Sequence, residues 1–569
     1  MSIRPGTALQ YFSVALAFLG IVTPILLGLW QTMMPAFGIL PAIGAMTPNL
    51  HAWRTLFALP GVGTSLRLTL FVGFVSTALS LAFAVAFCAS MHGRIAARRA
   101  ERLLAPLLAA PHAALAIGVA FLIAPSGWLV RIVSPWASGW TTPPQATTIH
   151  DPAGWALIFG LMIKEIPFFL LVIVAALDQI AVRQQIAMAR ALGYGRGVIW
   201  IKVVLPQVYR QIRLPVYAVL AFTLSVVDVA IILGPSNPPV LSVAAMRWFT
   251  AADVDLLLPA AAAAILQIGV VAGGVLIWWT GEHIVGAVGR WVVRRGGRGM
   301  RSEPLIRLAS LAAATLMAVG LSAIVSLFVW SVAWRWTFPD SLPSAWSLTG
   351  WSRSAAGWSS ALLDTVLLGI LSTLISAVAA ILWLEGEDRS GRRLPAAATA
   401  LIYLPLMAPQ IAFLYGLQVV SLQVGLDGLW ASVLWGHVLF VFPYIMLALG
   451  DPWRALDPRY ARAAAALGVS PMRTLILVKL PLLLRPLLAA TAIGFSVSVA
   501  LYLPTLFLGA GRISTLTTEA VTLSSGGDRR IVGVYAFLQA LLPMLAYAAA
   551  LGLPRRLFSN RRDLNGDAS

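Results

Sequence analysis

Twelve long apolar stretches constrain this sequence more than any other feature. A transmembrane helix needs about 20 mostly apolar residues to cross a hydrocarbon layer of about 30 Å. Of the 569 residues, 59% are hydrophobic and 11% are charged, whereas a soluble domain has roughly 25% charged residues. We therefore predict an all-α polytopic membrane protein. The predicted spans are 9–30, 68–90, 105–124, 154–176, 214–235, 255–279, 308–330, 362–384, 397–419, 429–449, 486–508 and 531–552.

The basic residues predict how these spans are oriented. Cytoplasmic loops are enriched in Lys and Arg. With the N-terminus inside, the inner segments carry 30 Lys and Arg residues and the outer segments carry eight. We therefore expect a multi-pass membrane protein with both termini in the cytoplasm. The net charge of +19 is spread over all the inner loops, so it does not call for a nucleic-acid partner.

The two halves of the sequence repeat each other. A pattern of small and hydroxyl residues recurs 296 positions apart in the second and eighth spans, and a proline recurs 298 positions apart in the third and ninth. We expect two homologous six-helix domains of the same topology, 1–290 and 291–569. The matched residues are Thr69, Gly73 and Ser76 with Thr365, Gly369 and Ser372, and Pro111 with Pro409.

Two loops on the basic side repeat a second motif at an offset of 275. In each copy an alanine-rich stretch precedes a glycine, a valine follows ten positions later and a proline thirteen positions later. Alanine favours a short helix, glycine permits a sharp turn, and the Leu-Pro pair marks the return to the next span. The motif residues are Ala187, Met188, Ala189, Gly193, Val203, Leu205 and Pro206, and Arg462, Ala463, Ala464, Gly468, Val478, Leu480 and Pro481.

This spacing resembles the EAA loop of ABC importer permeases. The twelve-span layout resembles the fused permeases of the thiamine and iron(III) importer group, and the stretch from Pro111 to Trp128 is similar to YnjC-type permeases. The resemblance implies a permease that carries a small solute across the inner membrane. It also implies two ABC ATP-binding subunits that dock on the two loops, and a periplasmic solute-binding protein. An ordinary amphipathic loop helix, repeated by duplication, is the alternative interpretation of the motif.

The motif departs from the family at its acidic position. Ala187 and Arg462 stand where the family often has glutamate. The usual ion pair with the ATPase is therefore in doubt, and we expect Arg462 to meet an acidic residue of its partner, because a buried unpaired charge is costly.

The sequence contains no Walker A motif for binding ATP. A phosphate-binding loop G-x4-G-K-[ST] needs a lysine after a glycine. The three lysines, Lys164, Lys202 and Lys479, follow isoleucine or valine. We predict a transport subunit that is not an enzyme and has no cofactor. The single cysteine and six histidines show no metal-ligand spacing, so no metal site is predicted.

Ionisable residues within the spans are the candidates for a pathway. Lys164, Glu165 and Asp228 lie at membrane depth, where charged groups normally face the bundle interior or a cavity. They either line a central pathway or form an interhelical pair such as Lys164 with Asp228. His112 is expected to be a hydrogen-bonded structural residue. The uncharged candidates for the same pathway are Gln267, Gln410, Tyr415 and Gln418.

Two other functions fit part of the sequence. A proton-coupled secondary transporter also has twelve spans in two halves, and Glu165 or Asp228 could carry its proton. Its uptake would follow a pH gradient, whereas an ABC importer would need ATP. A membrane scaffold that transports nothing explains neither the paired loops nor the embedded charges.

Overall fold

The described residues are mostly helical, which confirms the all-α prediction. A computed structural model describes residues 5–91, 104–295 and 303–557. In these ranges the only strands are β1 (Ala333–Arg335) and β2 (Ala345–Trp346), which pair antiparallel in a short hairpin. The basic segments 92–103, 296–302 and 558–569, which contribute to the predicted orientation, lie outside the described residues.

Fourteen helices, α1 to α14, precede residue 295. Helical turns of other types adjoin them, with π-helical turns at Phe18–Val22 and Trp200–Val204 and 3-10 turns at Pro41–Ile43 and Val254–Leu256. The helices are α1 (Pro5–Ala17), α2 (Thr23–Ala36), α3 (His51–Ala58), α4 (Val62–Met91), α5 (104–109), α6 (His112–Ile123), α7 (Trp128–Val133), α8 (Trp155–Leu177), α9 (Val182–Ala191), α10 (Arg196–Ile199), α11 (Leu205–Ser225), α12 (Asp228–Leu233), α13 (Leu241–Phe249) and α14 (Leu257–Arg294).

Fourteen further helices follow residue 302, with a π-helical turn at Leu475–Lys479. They are α15 (Glu303–Val332), α16 (Thr349–Arg353), α17 (Ala355–Ser390), α18 (Ala396–Leu401), α19 (Leu404–Met407), α20 (Gln410–Gln423), α21 (Trp430–Arg454), α22 (Pro458–Ala466), α23 (Pro471–Thr474), α24 (Leu480–Leu482), α25 (Leu484–Ala500), α26 (Leu503–Gly509), α27 (Leu516–Ser524) and α28 (Arg529–Leu557).

Four of the predicted spans are not continuous helices. In the described ranges, nine helices are long and apolar enough to cross a membrane, and a tenth candidate is bent by 79° at residue 483. The expectation of one uninterrupted helix in 105–124, 214–235, 397–419 and 486–508 was wrong. Hydropathy could not reveal these breaks, because apolar composition continues through them.

The first helix of each half packs against the other half. Helices α1 and α2 lie on α17 and α20, and α15 lies on α4 and α6. The crossings are close because small residues meet there: a Cβ atom added at Gly118 would lie 2.5 Å from the carbonyl oxygen of Ala323. Thr32 Oγ1 also accepts the Gly416 N–H at 3.1 Å. The two halves are therefore interlocked through their first helices.

The same tertiary contacts occur in both halves. Thr69 Oγ1 accepts the Leu241 N–H at 2.9 Å, and Thr365 Oγ1 accepts the Leu516 N–H at 2.9 Å. A Cβ atom added at Gly160 or at Gly436 would collide with a leucine of α12 or α26. These contacts fit a duplicated six-helix unit. The boundary between 290 and 291 stays a prediction and falls near the end of α14.

We predict that Gly118→Leu weakens the crossing of α15 over α6. The new side chain would push the two backbones apart, and such overpacking costs about 1–3 kcal/mol. The thermal midpoint of the purified protein in detergent should fall by several degrees. Gly269→Leu is the matched control, because a Cβ atom there meets nothing within 4 Å. Equal midpoints for the two variants would show that the crossing tolerates a side chain.

Candidate functional site

Four helices are interrupted within the predicted spans, at equivalent positions in the two halves. Proline precedes α6 and α20, at Pro111 and Pro409, 298 positions apart. The backbone is extended at Val226 before α12 and at Leu501 before α26, 275 positions apart. Unwound backbone at membrane depth is tolerated only where it is buried in protein or lines an aqueous cavity. These interruptions therefore mark the place to look for a site.

Side chains satisfy the carbonyl groups that the break before α12 leaves without a helical partner. Gln267 Nε2 donates to the Leu224 carbonyl oxygen at 2.9 Å, and Ser242 Oγ donates to that of Val226 at 2.7 Å. Gln267 is fully buried. Gln267, which was predicted to line a pathway, therefore stabilises the interrupted backbone before α12.

The second half stabilises its break with a different pair of side chains. Thr517 Oγ1 donates to the Val499 carbonyl oxygen, and Gln539 Nε2 donates to Thr517 Oγ1 at 2.7 Å. Gln539, like Gln267, is fully buried on the last long helix of its half. The interruption is therefore a supported feature of both halves.

Lys164 stabilises the break between α5 and α6. Its Nζ donates to the carbonyl oxygens of Leu107 at 2.9 Å, Leu108 at 2.8 Å and Ala110 at 2.6 Å. These are carbonyls at the C-terminal end of a helix, where the helix dipole favours a cation. The ammonium group of Lys164 therefore binds backbone carbonyl groups, whereas the alternative considered above was an ion pair with Asp228.

Glu165, His112 and Asp228 form a polar cluster beside the breaks. Glu165 Oε1 lies 3.6 Å from His112 Nε2, and helix α12, which begins at Asp228, packs on helix α6, which begins at His112. The Glu165 side chain is only 5% exposed, whereas that of His112 is 30% exposed. The His112 ring packs on Phe222 with 4.7 Å between centroids. Two acidic groups and an imidazole thus occupy one region of the first half.

The remaining pathway candidates lie on α20. Gln410 is the first residue of that helix, and Gln418 is half-buried further along it. Tyr415 stacks on Phe249 of the first half with 3.9 Å between ring centroids. Only Gln410 stands directly at a break.

Sequence analysis did not place His112 beside an acidic residue. His112 was expected to be structural, and its Nε2 atom lies 3.6 Å from Glu165 Oε1. A signal for its position was present, because the Pro111-His112 pair matches Pro409-Gln410 at a break in each half.

The two motif loops have the same local structure. Helices α9 and α22 end before Gly193 and Gly468, whose φ angles are +80° and +75°, a backbone conformation that favours glycine. A short helix and a π-helical turn follow in both copies. Among the motif residues, Ala187, Met188, Gly193, Pro206, Arg462, Ala463, Gly468 and Pro481 are exposed, Ala189, Val203, Leu205, Val478 and Leu480 are half-buried, and Ala464 is buried.

Large apolar side chains around both loops are exposed. They are Met188 and Leu192 beside Gly193, and Leu467, 83% exposed, and Met472 beside Gly468. Clustered apolar exposure at equivalent places marks an interaction surface. The loops have the shape and the surface of docking elements.

A buried ionic network anchors the second loop to the helices above it. Lys479 Nζ lies 2.6 Å from Glu385 Oε2 and 2.7 Å from Asp388 Oδ2, both at the end of α17. Trp453 Nε1 of α21 donates to Asp388 Oδ2 at 3.1 Å. Arg454 lies 3.2 Å from Glu387. Displacement of this loop would therefore act directly on α17 and α21.

Comparison with known proteins identifies the family. The chain is 33% identical to the inner membrane ABC transporter permease protein YnjC of Escherichia coli (strain K12) over 504 residues, which cover 88% of this chain and 90% of that protein. This chain therefore belongs to the family of inner-membrane ABC transporter permeases. It is the permease of an ABC importer, as the resemblance of its loops and layout indicated.

Two partial matches are also to permease proteins of transport systems. The chain is 23% identical over 174 residues to the spermidine/putrescine transport system permease protein PotC homolog of Mycoplasma genitalium, covering 29% of this chain and 59% of that protein. It is 27% identical over 130 residues to PotC of Haemophilus influenzae, covering 23% and 49%. No protein-family model matches the chain.

We predict that Lys164→Met destabilises the protein through the break between α5 and α6. The substitution leaves the buried carbonyl groups of Leu107 and Ala110 and the half-buried one of Leu108 without their donor, and each buried loss costs about 1–3 kcal/mol. The thermal midpoint of the purified protein should fall clearly. Glu165→Gln, one position along α8, is the control and should not lower the midpoint. An unchanged midpoint for Lys164→Met would mean that these carbonyls have other partners.

Proposed function

We propose that this permease opens its translocation pathway at the four helix breaks, between two six-helix domains, 1–290 and 291–569. The observation that carries the proposal is the matched position of the breaks together with the ionisable and aromatic side chains beside them. Binding sites of transporters commonly lie at discontinuous helices near the middle of the membrane. His112, Glu165, Asp228 and Gln410 are the residues we assign to the pathway lining.

Two further residues support the backbone next to this lining. Lys164 and Gln267 bind the carbonyl groups of the broken helices, so their role is to keep the breaks open. A break that is already present adds little to the free energy of a conformational change, because the backbone does not have to unwind during each transport cycle. The solute would then pass the breaks as the two domains rock against each other.

The two motif loops receive the mechanical input. Two ABC ATP-binding subunits dock on α9 and α22, with the exposed apolar residues Met188, Leu192, Leu467 and Met472 at the contact. Arg462 is exposed and pairs with an acidic residue of its subunit. Closure of the subunits around ATP moves the loops, and the network around Lys479 transmits the movement of the second loop to α17.

The orientation follows from the same assignment. Both termini and both loops face the cytoplasm, where the ATP-binding subunits are, and a solute-binding protein docks on the opposite side. The chain catalyses no covalent reaction. Because two relatives are named as permeases for spermidine and putrescine, these polyamines are the first solutes to test.

Arg462→Glu tests the docking of the second loop. In the reconstituted complex with both partner proteins, this variant should reduce solute-stimulated ATP hydrolysis about tenfold or more, because like charges would then face each other. An arginine introduced at the partnering acidic position of the ATPase should restore it. Arg459→Glu, exposed on the same helix, is the matched control and should stay within about twofold.

If the charge reversal in the partner does not restore coupling, Arg462 does not pair with an acidic residue. If Arg459→Glu and Arg462→Glu lose activity equally, the effect is general to the charge of α22 and the specific contact is wrong.

Transport in vesicles separates the importer from the proton-coupled alternative. We expect uptake into proteoliposomes to require ATP, both ATP-binding subunits and the binding protein, and to be unaffected when an ionophore removes the pH gradient. Uptake by the purified chain alone that follows a pH gradient would contradict the proposal.

A further inference from the structure

We propose that a cavity where α15 ends and α28 begins binds the headgroup of an anionic phospholipid. The cavity has a volume of about 410 Å³ and is formed by the end of α15, by strand β1 and by the first residues of α28. None of its lining residues belongs to the proposed pathway, and only its assignment to the outer leaflet uses the proposed orientation. The side chains that carry the argument are Trp330, Trp334, Trp336, Arg335, Arg529 and Arg530.

The cavity lies at the level of the membrane surface. Trp330 is the last residue of the predicted span 308–330, and Arg529 and Arg530 directly precede the predicted span 531–552. In the proposed orientation both of these ends are on the outer side. Tryptophan is enriched at membrane–water interfaces, where its ring sits among the headgroups. The cavity is therefore at the depth of the lipid phosphates.

Positive charge is concentrated around this cavity. Eight Lys and Arg residues lie in the predicted outer segments, which normally carry few basic residues, and five of the eight are here. In the described ranges, two aspartates also line the cavity or contact its lining residues. Five arginines against two aspartates leave a net charge of +3. These residues are Arg131, Arg335, Arg353, Arg529 and Arg530, with Asp340 and Asp528.

Two of the five arginines have a structural role. Arg131 is 3% exposed, and its guanidinium group donates to the carbonyl oxygens of Ser126 at 2.9 Å and Thr337 at 2.7 Å. Arg530 donates to both carboxylate oxygens of Asp528, with a shortest distance of 2.6 Å. These contacts hold the hairpin and the start of α28 in place. They do not account for the other three arginines.

Arg335 and Arg529 line the cavity without a carboxylate partner. In the part of the chain that the structure describes, no carboxylate oxygen lies within 4.0 Å of either guanidinium group. Arg529 Cζ lies 5.2 Å from the ring centroid of Trp330, and Arg335 is exposed. A guanidinium group presents its N–H donors in a planar fork that matches two oxygens of a phosphate. These two arginines are therefore suited to bind a phosphodiester.

The apolar surface next to the cavity suits the acyl chains of the same lipid. Phe328, two positions before Trp330 on α15, is 48% exposed, and its ring packs on Phe537 of α28 with 5.3 Å between centroids. Val325, one turn further from the cavity, is also about half exposed. Both exposed side chains lie within a predicted span, where apolar surface contacts lipid. A lipid with its phosphate in the cavity would extend its chains over them.

A phospholipid fits this cavity better than an acidic protein surface. The arginines alternate with indole rings, since Arg530 Cζ lies 5.0 Å and Arg353 Cζ 5.4 Å from the ring centroid of Trp334. Basic pockets at the ends of transmembrane helices bind anionic headgroups. The cavity also adjoins apolar surface at membrane depth, which a soluble partner would not reach.

The test measures lipid binding to the full-length chain. Native mass spectrometry of the protein purified in a mild detergent gives the apparent affinity for phosphatidylglycerol and for phosphatidylcholine with the same acyl chains. We expect tighter binding of phosphatidylglycerol. Arg335→Gln combined with Arg529→Gln should weaken that binding at least about tenfold, because each arginine near an anionic lipid surface contributes about fivefold. Binding of phosphatidylcholine should change little, and inorganic phosphate should not displace the lipid.

A second double variant provides the matched control. Arg54→Gln combined with Arg512→Gln removes two exposed arginines of other outer segments and should leave the affinity for phosphatidylglycerol unchanged. The thermal midpoint in detergent without added lipid shows whether each variant is folded. If the cavity variant is not folded, Arg335→Gln alone changes only an exposed side chain and should weaken binding about threefold or more.

Four results would overturn this inference. The cavity variant may bind phosphatidylglycerol like the original protein, or both double variants may lose affinity equally. Displacement of the lipid by inorganic phosphate would show a site for soluble anions. Normal lipid binding by a cavity variant that no longer binds the solute-binding protein would show a docking surface for that protein. None of these results bears on the proposed pathway, which the uptake measurements test separately.

Discussion

The need to satisfy backbone hydrogen bonds in an apolar environment governs this structure. A continuous helix meets that need by itself, but an interrupted helix leaves carbonyl and N–H groups without partners. In the described residues, four interruptions lie at equivalent positions of the two halves, and polar side chains bind the freed backbone groups at three of them. Lys164 serves the end of α5, Gln267 and Ser242 serve the end of α11, and Thr517 serves the end of α25. These side chains supply hydrogen-bond donors that the apolar surroundings of the three breaks do not.

This constraint separates residues that build the pathway from those that face it. A charged or amide side chain in a transmembrane helix suggests function, yet Lys164 and Gln267 are occupied by backbone groups. Glu165, almost fully buried on the same helix as Lys164, has one imidazole as its neighbour. Two consecutive residues thus have different roles, because consecutive side chains on a helix point about 100° apart. The direction in which each side chain points therefore decides its role, and residue type alone does not reveal that direction.

The duplication preserved the framework and let the chemistry diverge. The contacts of Thr69 and Thr365 with the chain beyond the second break are the same in both halves. Acidic residues at the centre occur in the first half only, and the ionic network around Lys479 occupies positions that in the first half hold Ala89, Met91 and Val204. Because one chain carries both halves, each half can have its own residues. Two copies of a shorter chain would have identical residues at these positions.

The sequence by itself determined the apolar spans, the repeat and the loops that turn at Gly193 and Gly468, because hydropathy, spacing and glycine are local properties. Only the tertiary structure decided where the spans break and what meets at the breaks. Val226 and Leu501 are apolar like their neighbours, so no local pattern distinguishes them, and Thr32 reaches the backbone of Gly416 only when the two halves interlock. Such contacts join residues hundreds of positions apart and depend on packing alone.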